Sequence, residues 1–165
     1  MNYGAMLGLS AMSVMFVLQI LKIREGIAPQ LLFLVVFVSF IVLGSINYRK
    51  NNNEFMSYGQ GVGQGVLVSL FGSILLGFFT YAFFKFASPE SLQEIIDMTE
   101  SKLEDQGLSE DQIEMTMKMQ TKIMTPGIMG IITIFTYVFL GLIVSLITAA
   151  ILKKENPNPF GNMDN

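Results

Sequence analysis

Four stretches of this chain contain no Asp, Glu, Lys or Arg: residues 3–21, 29–46, 65–84 and 128–152. The hydrocarbon core of a bilayer is roughly 30 Å thick, so a spanning helix needs about 20 largely apolar residues. Soluble core helices rarely supply four charge-free runs of that length. The fold expected is therefore all-α: a polytopic integral membrane protein with four transmembrane helices and an extramembrane amphipathic helical hairpin between helices three and four. The whole of 1–165 reads as a single membrane domain. The first run reads as a retained span and not as a cleaved signal peptide. No Lys or Arg precedes it, and Lys22-Ile23-Arg24-Glu25 follows where a small-residue cleavage site would stand.

The connections differ in kind. Residues 22–28 are short and contain Gly26, which predicts a tight antiparallel pair of spans one and two. Arg49 to Tyr58 is polar, with three consecutive asparagines, and shows no helical period. The tail from Glu155 holds Pro157, Pro159 and Gly161 and reads as disordered. Residues 88–125 have structure of their own. Ser88-Pro89-Glu90 supplies an N-cap, a proline at the first helical position and early negative charge. Leu92, Ile95, Ile96, Thr99 and Leu103 follow on one helical face. Gly107 ends that helix as a left-handed cap. Ser109-x-x-Gln112 is a capping box that starts a second helix, with Leu108 and Ile113 as its hydrophobic staple. Pro126-Gly127 separates this helix from span four.

Absent residue types narrow the chemistry. There is no Cys and no His, hence no thiolate or imidazole ligand, no cysteine nucleophile and no imidazole base. A net charge of −3 gives no sign of nucleic-acid binding, which wants a basic face. The expectation is no enzyme, no cofactor and no metal. No ionisable carboxylate, amine or guanidinium lies inside a span, which argues against a proton-coupled pump. Met115-Thr116-Met117-Lys118-Met119 resembles a soft-metal run. On a helix, however, Met117 points away from the other two, so adaptable packing is the expected role. The acids Glu90, Glu94, Asp97, Glu100 and Glu104 form one stripe and read as a solvated face.

The strongest pattern lies in span three. Gly61, Gly65, Ser69, Ser73 and Gly77 recur every four residues, and span four carries Thr133, Tyr137, Gly141, Ser145 and Ala149 at the same period. Rows of small residues let helix backbones approach closely in lipid. These ten residues are the candidate helix-packing site, either between spans three and four or between copies. Gly4 and Gly8 make a shorter row in span one. Tyr137 stands in the span-four row near mid-membrane, where a phenol needs a partner. Gly59-Gln60-Gly61-Val62-Gly63-Gln64-Gly65 lacks the Lys-Ser/Thr of a phosphate loop and follows no strand, so it reads as a pliable entry to span three. Gln60 and Gln64 could meet lipid headgroups or a substrate there.

Arg49 and Lys50, and Lys153 and Lys154, form two basic pairs at span ends on the side of the termini, while most acids sit on the other side. The positive-inside rule counts Lys and Arg: six on the side of the insertion against four, or four against four once Lys102 and Lys118 inside the folded hairpin are set aside. The lean of the termini toward the cytoplasm therefore rests on the paired clusters and the acidic hairpin.

Tyr48-Arg49 closing span two, Ser57-Tyr58-Gly59-Gln60-Gly61 opening span three, an aromatic-rich end to that span, then Pro89 and an amphipathic insertion make a familiar layout. It resembles a family of small four-helix inner-membrane proteins from Bacteroidota catalogued as a domain of unknown function. The resemblance implies a bacterial inner (cytoplasmic) membrane setting and brings no catalytic residues. The residues themselves suggest a non-enzymatic accessory or assembly subunit whose partners are the lipid bilayer and a membrane protein or second copy. The alternative is a small permease or channel for an uncharged or lipid-like substrate, lined by Gln64, Ser69, Ser73, Thr133 and Tyr137. A wet cavity between spans three and four would favour transport, and a dry seam would favour scaffolding.

Overall fold

The computed structural model describes residues 2–21 and 26–156, apart from the side chain of Gln19. The connection at 22–25 and the tail from 157, expected as a tight link and a disordered end, lie outside the described residues. Six α-helices follow in order: α1 (Asn2–Ile20), α2 (Ile27–Asn51), α3 (Tyr58–Ala82), α4 (Glu90–Asp105), α5 (Glu110–Ile123) and α6 (Pro126–Leu152). A π-helical turn, Phe83–Ala87, extends α3 and closes with the Ser88 N–H on the Phe83 carbonyl at 2.9 Å. Three helices are long and apolar enough to cross a membrane, Ile27–Asn51, Tyr58–Ala87 and Pro126–Leu152, and the apolar run Asn2–Leu18 is shorter.

Two boundaries differ from expectation for local reasons. α3 starts at Tyr58 and not at Gly65, so the glycine-rich stretch is helical. Ser57 and Gln60 form a capping box there: the Ser57 N–H donates to Gln60 Oε1 at 2.9 Å and the Gln60 N–H to Ser57 Oγ at 3.3 Å. Two of the helix's orphan donors are thereby satisfied, which offsets the entropy cost of the glycines. α2 runs on to Asn51 and takes Arg49 and Lys50 out of the expected polar loop. Two cations in a last turn complement the negative end of the helix dipole. The remaining turn is short and bonded: the Glu54 N–H reaches back to Arg49 O, and Asn52 Nδ2 donates to Phe55 O. Asn53 and Glu54 both take positive φ, 53° and 66°, to make it.

The chain forms two compact units, residues 1–75 with 135–165, and residues 76–134. In the first, Leu7, Phe37, Ile41 and Val68 make the apolar core. Ser45, Ser69, Ser73, Ser145 and Thr148 are buried alongside, while Leu31, Val35, Phe139, Ile147 and Ile151 are exposed. Small polar residues inside and large apolar ones outside is the reverse of a water-soluble pattern. It suits a helical protein whose surroundings are lipid.

In the second unit α4 and α5 follow the expected punctuation. Pro89 already has helical angles and α4 is assigned from Glu90. The Ser88 hydroxyl bonds to Glu90 Oε1 at 2.7 Å and lies 2.8 Å from Ser91 Oγ. Gly107 has φ 74°, and the pair of bonds Leu108 N–H to Leu103 O and Gly107 N–H to Glu104 O completes a Schellman stop. Gln112 Oε1 then accepts the Ser109 N–H at 3.1 Å in the capping box of α5. An L-residue with a side chain costs about 1–2 kcal/mol in the left-handed region. Gly107→Ala should therefore speed amide exchange around Leu108 on the order of tenfold. Unchanged exchange there would show that this stop does not govern the link between α4 and α5.

Candidate functional site

The small-residue rows of α3 and α6 meet in the first unit, in antiparallel register. A Cβ placed on Gly61 would stand 2.8 Å from Ala149 Cβ. One placed on Gly65 would collide with Ser145 Oγ, and one on Gly141 with Ser69 Oγ and Cβ. Each four-residue step along α3 is matched by a four-residue step back along α6. Gly61, Gly65, Ser69, Gly141, Ser145 and Ala149 are all buried. Such contacts bring backbone to within a side-chain atom of backbone, and dispersion between many close atoms holds the pair.

The hydroxyls in this seam point along their own helices. Ser69 Oγ donates to Gly65 O at 2.9 Å, Ser73 Oγ to Leu70 O at 2.9 Å, and Ser145 Oγ to Gly141 O. Each hydroxyl donor is satisfied by a carbonyl three or four residues back. The seam is therefore close-packed, with its serine hydroxyls bonded within their own helices.

The remaining four row residues behave differently. Ser73 is buried, but Tyr137, one step further along α6, turns to α2. Its ring lies 4.9 Å from Phe33 and 5.7 Å from Phe37, both tilted. Aromatic pairs at such distances favour offset or tilted geometry. In the second unit Gly77 faces Gly130 and Ile134: a Cβ there would fall 2.7 Å from the Gly130 carbonyl oxygen. Thr133, its expected partner, is half-exposed and donates to Met129 O at 2.8 Å. Gly130 thus does the work assigned to Thr133, because a glycine brings the backbones closer than a threonine allows.

α3 carries a second seam. A Cβ on Gly4 would stand 2.7 Å from Phe71 Cβ, one on Gly8 2.8 Å from Leu75 Cβ, and one on Gly72 2.7 Å from Leu7 Cδ2. α1 packs here, with Leu7 and Ala11 almost fully buried. Gly72 lies outside the four-residue row of Gly61 to Gly77 and was not singled out by it. Its local signal is the glycine itself, between Phe71 and Ser73. α2 is joined to α3 by a polar bond: Ser45 Oγ donates to Gln64 Oε1 at 2.9 Å. Gly44 makes room, since a Cβ there would press on Gln64 Nε2 at 2.6 Å. Gln64 thus faces α2, and Gln60 is occupied in the α3 cap.

The ends of α2 and α6 are tied together. Arg49 Nη1 donates to Leu152 O at 3.2 Å, on the last turn of α6. Met56 and Lys154 exchange two backbone bonds, each 2.8 Å, with Met56 fully buried. Lys154 Nζ lies over the Phe55 ring at 5.7 Å. Orphan carbonyls at a helix C-terminus are thereby satisfied and a positive charge meets the negative end of the dipole. Elsewhere, Met115 and Met119 are exposed on one face of α5 and Met117 is half-buried on another. Among the described residues no group of three or more acidic side chains is placed to hold a metal ion.

The geometry separates glycines by consequence. Gly65→Leu and Gly141→Leu should each overpack the seam, costing upwards of about 3 kcal/mol and shifting the protein to aggregate on size exclusion. Gly63→Leu on the same helix should run as the wild type, because a Cβ there meets nothing within 4 Å. Normal behaviour of both seam variants would sink the packing role.

None of the curated proteins and none of the solved structures compared matches the chain. One family model does, over residues 2–154, and its description is a protein of unknown function, DUF4199. That match covers nearly all of the sequence, so the chain belongs to the DUF4199 family.

Proposed function

We propose that this chain is a non-enzymatic integral membrane protein of four transmembrane helices with an extramembrane helical hairpin. In this reading it is an accessory or assembly subunit that packs against a membrane partner or a second copy of itself. The observation that carries the reading is the close-packed seam of α3 and α6, where every step is a close backbone approach and the serine hydroxyls bond to their own helices. Close packing at Ser69, and hydroxyls of Ser69 and Ser73 turned to their own helices, support packing over transport along these residues. The outer face of α6 supports contact with lipid or a partner. Phe135, Phe139, Ile143, Ile147 and Ile151 follow every fourth residue and all are exposed. α1 supports a fourth span less directly: the 17 residues of Asn2–Leu18 make about 26 Å of helix, within reach of a bilayer that thins by a few Å. The proposed setting is a bacterial inner membrane with cytoplasmic termini. Arg49 and Lys154 drawn to one end of the first unit by the Leu152 and Met56 bonds support that orientation. Mild-detergent purification followed by mass spectrometry tests the role. The expected result is a membrane protein co-purifying in fixed proportion, or a defined homo-oligomer; a lone monomer would overturn it.

One observation favours the alternative of a lipid-like substrate. A cleft of about 380 Å³ in the first unit is lined by Gly4, Tyr48, Gln60, Gln64, Leu67 and Phe71, polar toward one end and apolar toward the other. An acyl chain with a small polar head matches that gradient. Gly63 also lines the cleft and has open space beside it, so Gly63→Leu fills the cleft without disturbing a helix contact. Native mass spectrometry should find a lipid adduct on the wild type that the variant loses; no adduct on either would remove this reading.

A further inference from the structure

The second unit contains an apolar stripe that its own packing leaves uncovered. Met115, Met119 and Ile123 recur every fourth residue on α5 and are 70%, 62% and 47% exposed. This is not the face that α5 turns inward. Ile113, Met117 and Gln120 are half-buried on a different side of the helix. Lys118 and Lys122 border the stripe along one edge, by the 100° step of the helix. The charge on α5 also changes along its length, from Glu110, Asp111 and Glu114 at its start to the two lysines at its end.

We infer that α5 is an interfacial helix, with Met115, Met119 and Ile123 sunk into the surface of an anionic phospholipid bilayer and Lys118 and Lys122 set at the headgroup phosphates. Three observations choose this occupant. First, only Met124 and Thr125 separate α5 from α6, a helix long and apolar enough to cross a membrane. The lysine-bearing end of α5 is thus tethered to the level at which α6 begins. Second, the cations sit at the tethered end and the acids at the far end, the order that a negatively charged surface selects. Lys118 does have a partner, Glu114 at 3.5 Å, but both side chains are about three-quarters exposed and such a pair holds weakly in water. Third, the same unit carries another interfacial set where the extended α3 ends. Lys85 Nζ donates to Tyr81 OH at 2.6 Å and lies 5.1 Å and 5.4 Å from the Tyr81 and Phe86 ring centres. Aromatic rings with a cation at a helix end mark the headgroup level. An amphipathic helix at such a level buries its apolar face some 5–10 Å into the acyl boundary.

The inference rests on α6 being a membrane span and is independent of the accessory role. The chain has no cysteine, so single-cysteine variants report one position each. Met119→Cys, Thr121→Cys and Phe139→Cys would be labelled with a fluorophore, with one protein copy per nanodisc of phosphatidylglycerol and phosphatidylethanolamine. Thr121 lies on the opposite side of α5 and is exposed, and Phe139 is on the outer face of α6. Doxyl-labelled lipid should quench the labels at positions 119 and 139, and an aqueous quencher should act on position 121, each with a preference on the order of threefold or more. Adding Lys118→Gln and Lys122→Gln to Met119→Cys should reduce the lipid quenching at 119. A label at 119 that is as open to the aqueous quencher as the one at 121 would overturn the inference, and so would one shielded only when several copies share a membrane. Loss of lipid quenching at 139 would instead overturn the membrane reading of α6.

Discussion

Everything else in the first unit depends on how closely α3 and α6 approach. At Gly61, Gly65 and Gly141 even one added carbon has no room. Lipid offers little hydrophobic drive for helices to associate, because the tails are as apolar as leucine. What remains is contact density, and contact density rises as backbones near each other. The three-step register of α3 on α6 is thus both the source of the attraction and the reason for its specificity, since a slip of one residue would drive a leucine or valine into the gap.

The polar side chains of the interior follow from that close approach. A close-packed seam leaves little room for a bridging water, and Ser69, Ser73 and Ser145 turn to carbonyls of their own helices. Gln64 is too long for that solution and crosses to Ser45 on α2. At the ends, where helices must stop, the problem is reversed and carbonyls lack donors. Arg49 and the Met56–Lys154 bridge supply them. Basic residues at these span ends therefore also hold two helix ends together.

Much of this architecture was legible as pattern. The charge-free runs, the Ser109 box and the Gly107 stop all depend on local spacing, and local spacing is what a sequence displays. The Ser57-x-x-Gln60 box has the same signal as Ser109-x-x-Gln112, yet the glycines after it masked the helix, since glycine lowers helix propensity wherever it stands. Gly130 escaped for another reason: a row repeating every four residues drifts around a helix that turns every 3.6, so the face meeting a neighbour at one end is not the face meeting it at the other. Gly72 lies on a different face of α3, the one that meets α1, and a search for one row passes it by.

The sequence by itself determined that the chain is helical, that its long apolar runs avoid charge, and where several helices begin and end. These outcomes depend on hydrogen bonds and side chains within a few residues of each other. The tertiary structure alone decided that α3 has separate seams for α1 and α6, that Tyr137 packs at a tilt against Phe33 and Phe37, and that Gln64 serves Ser45. Those choices compare whole faces against one another, and a face acquires a value only when another backbone comes near enough to fill or refuse it.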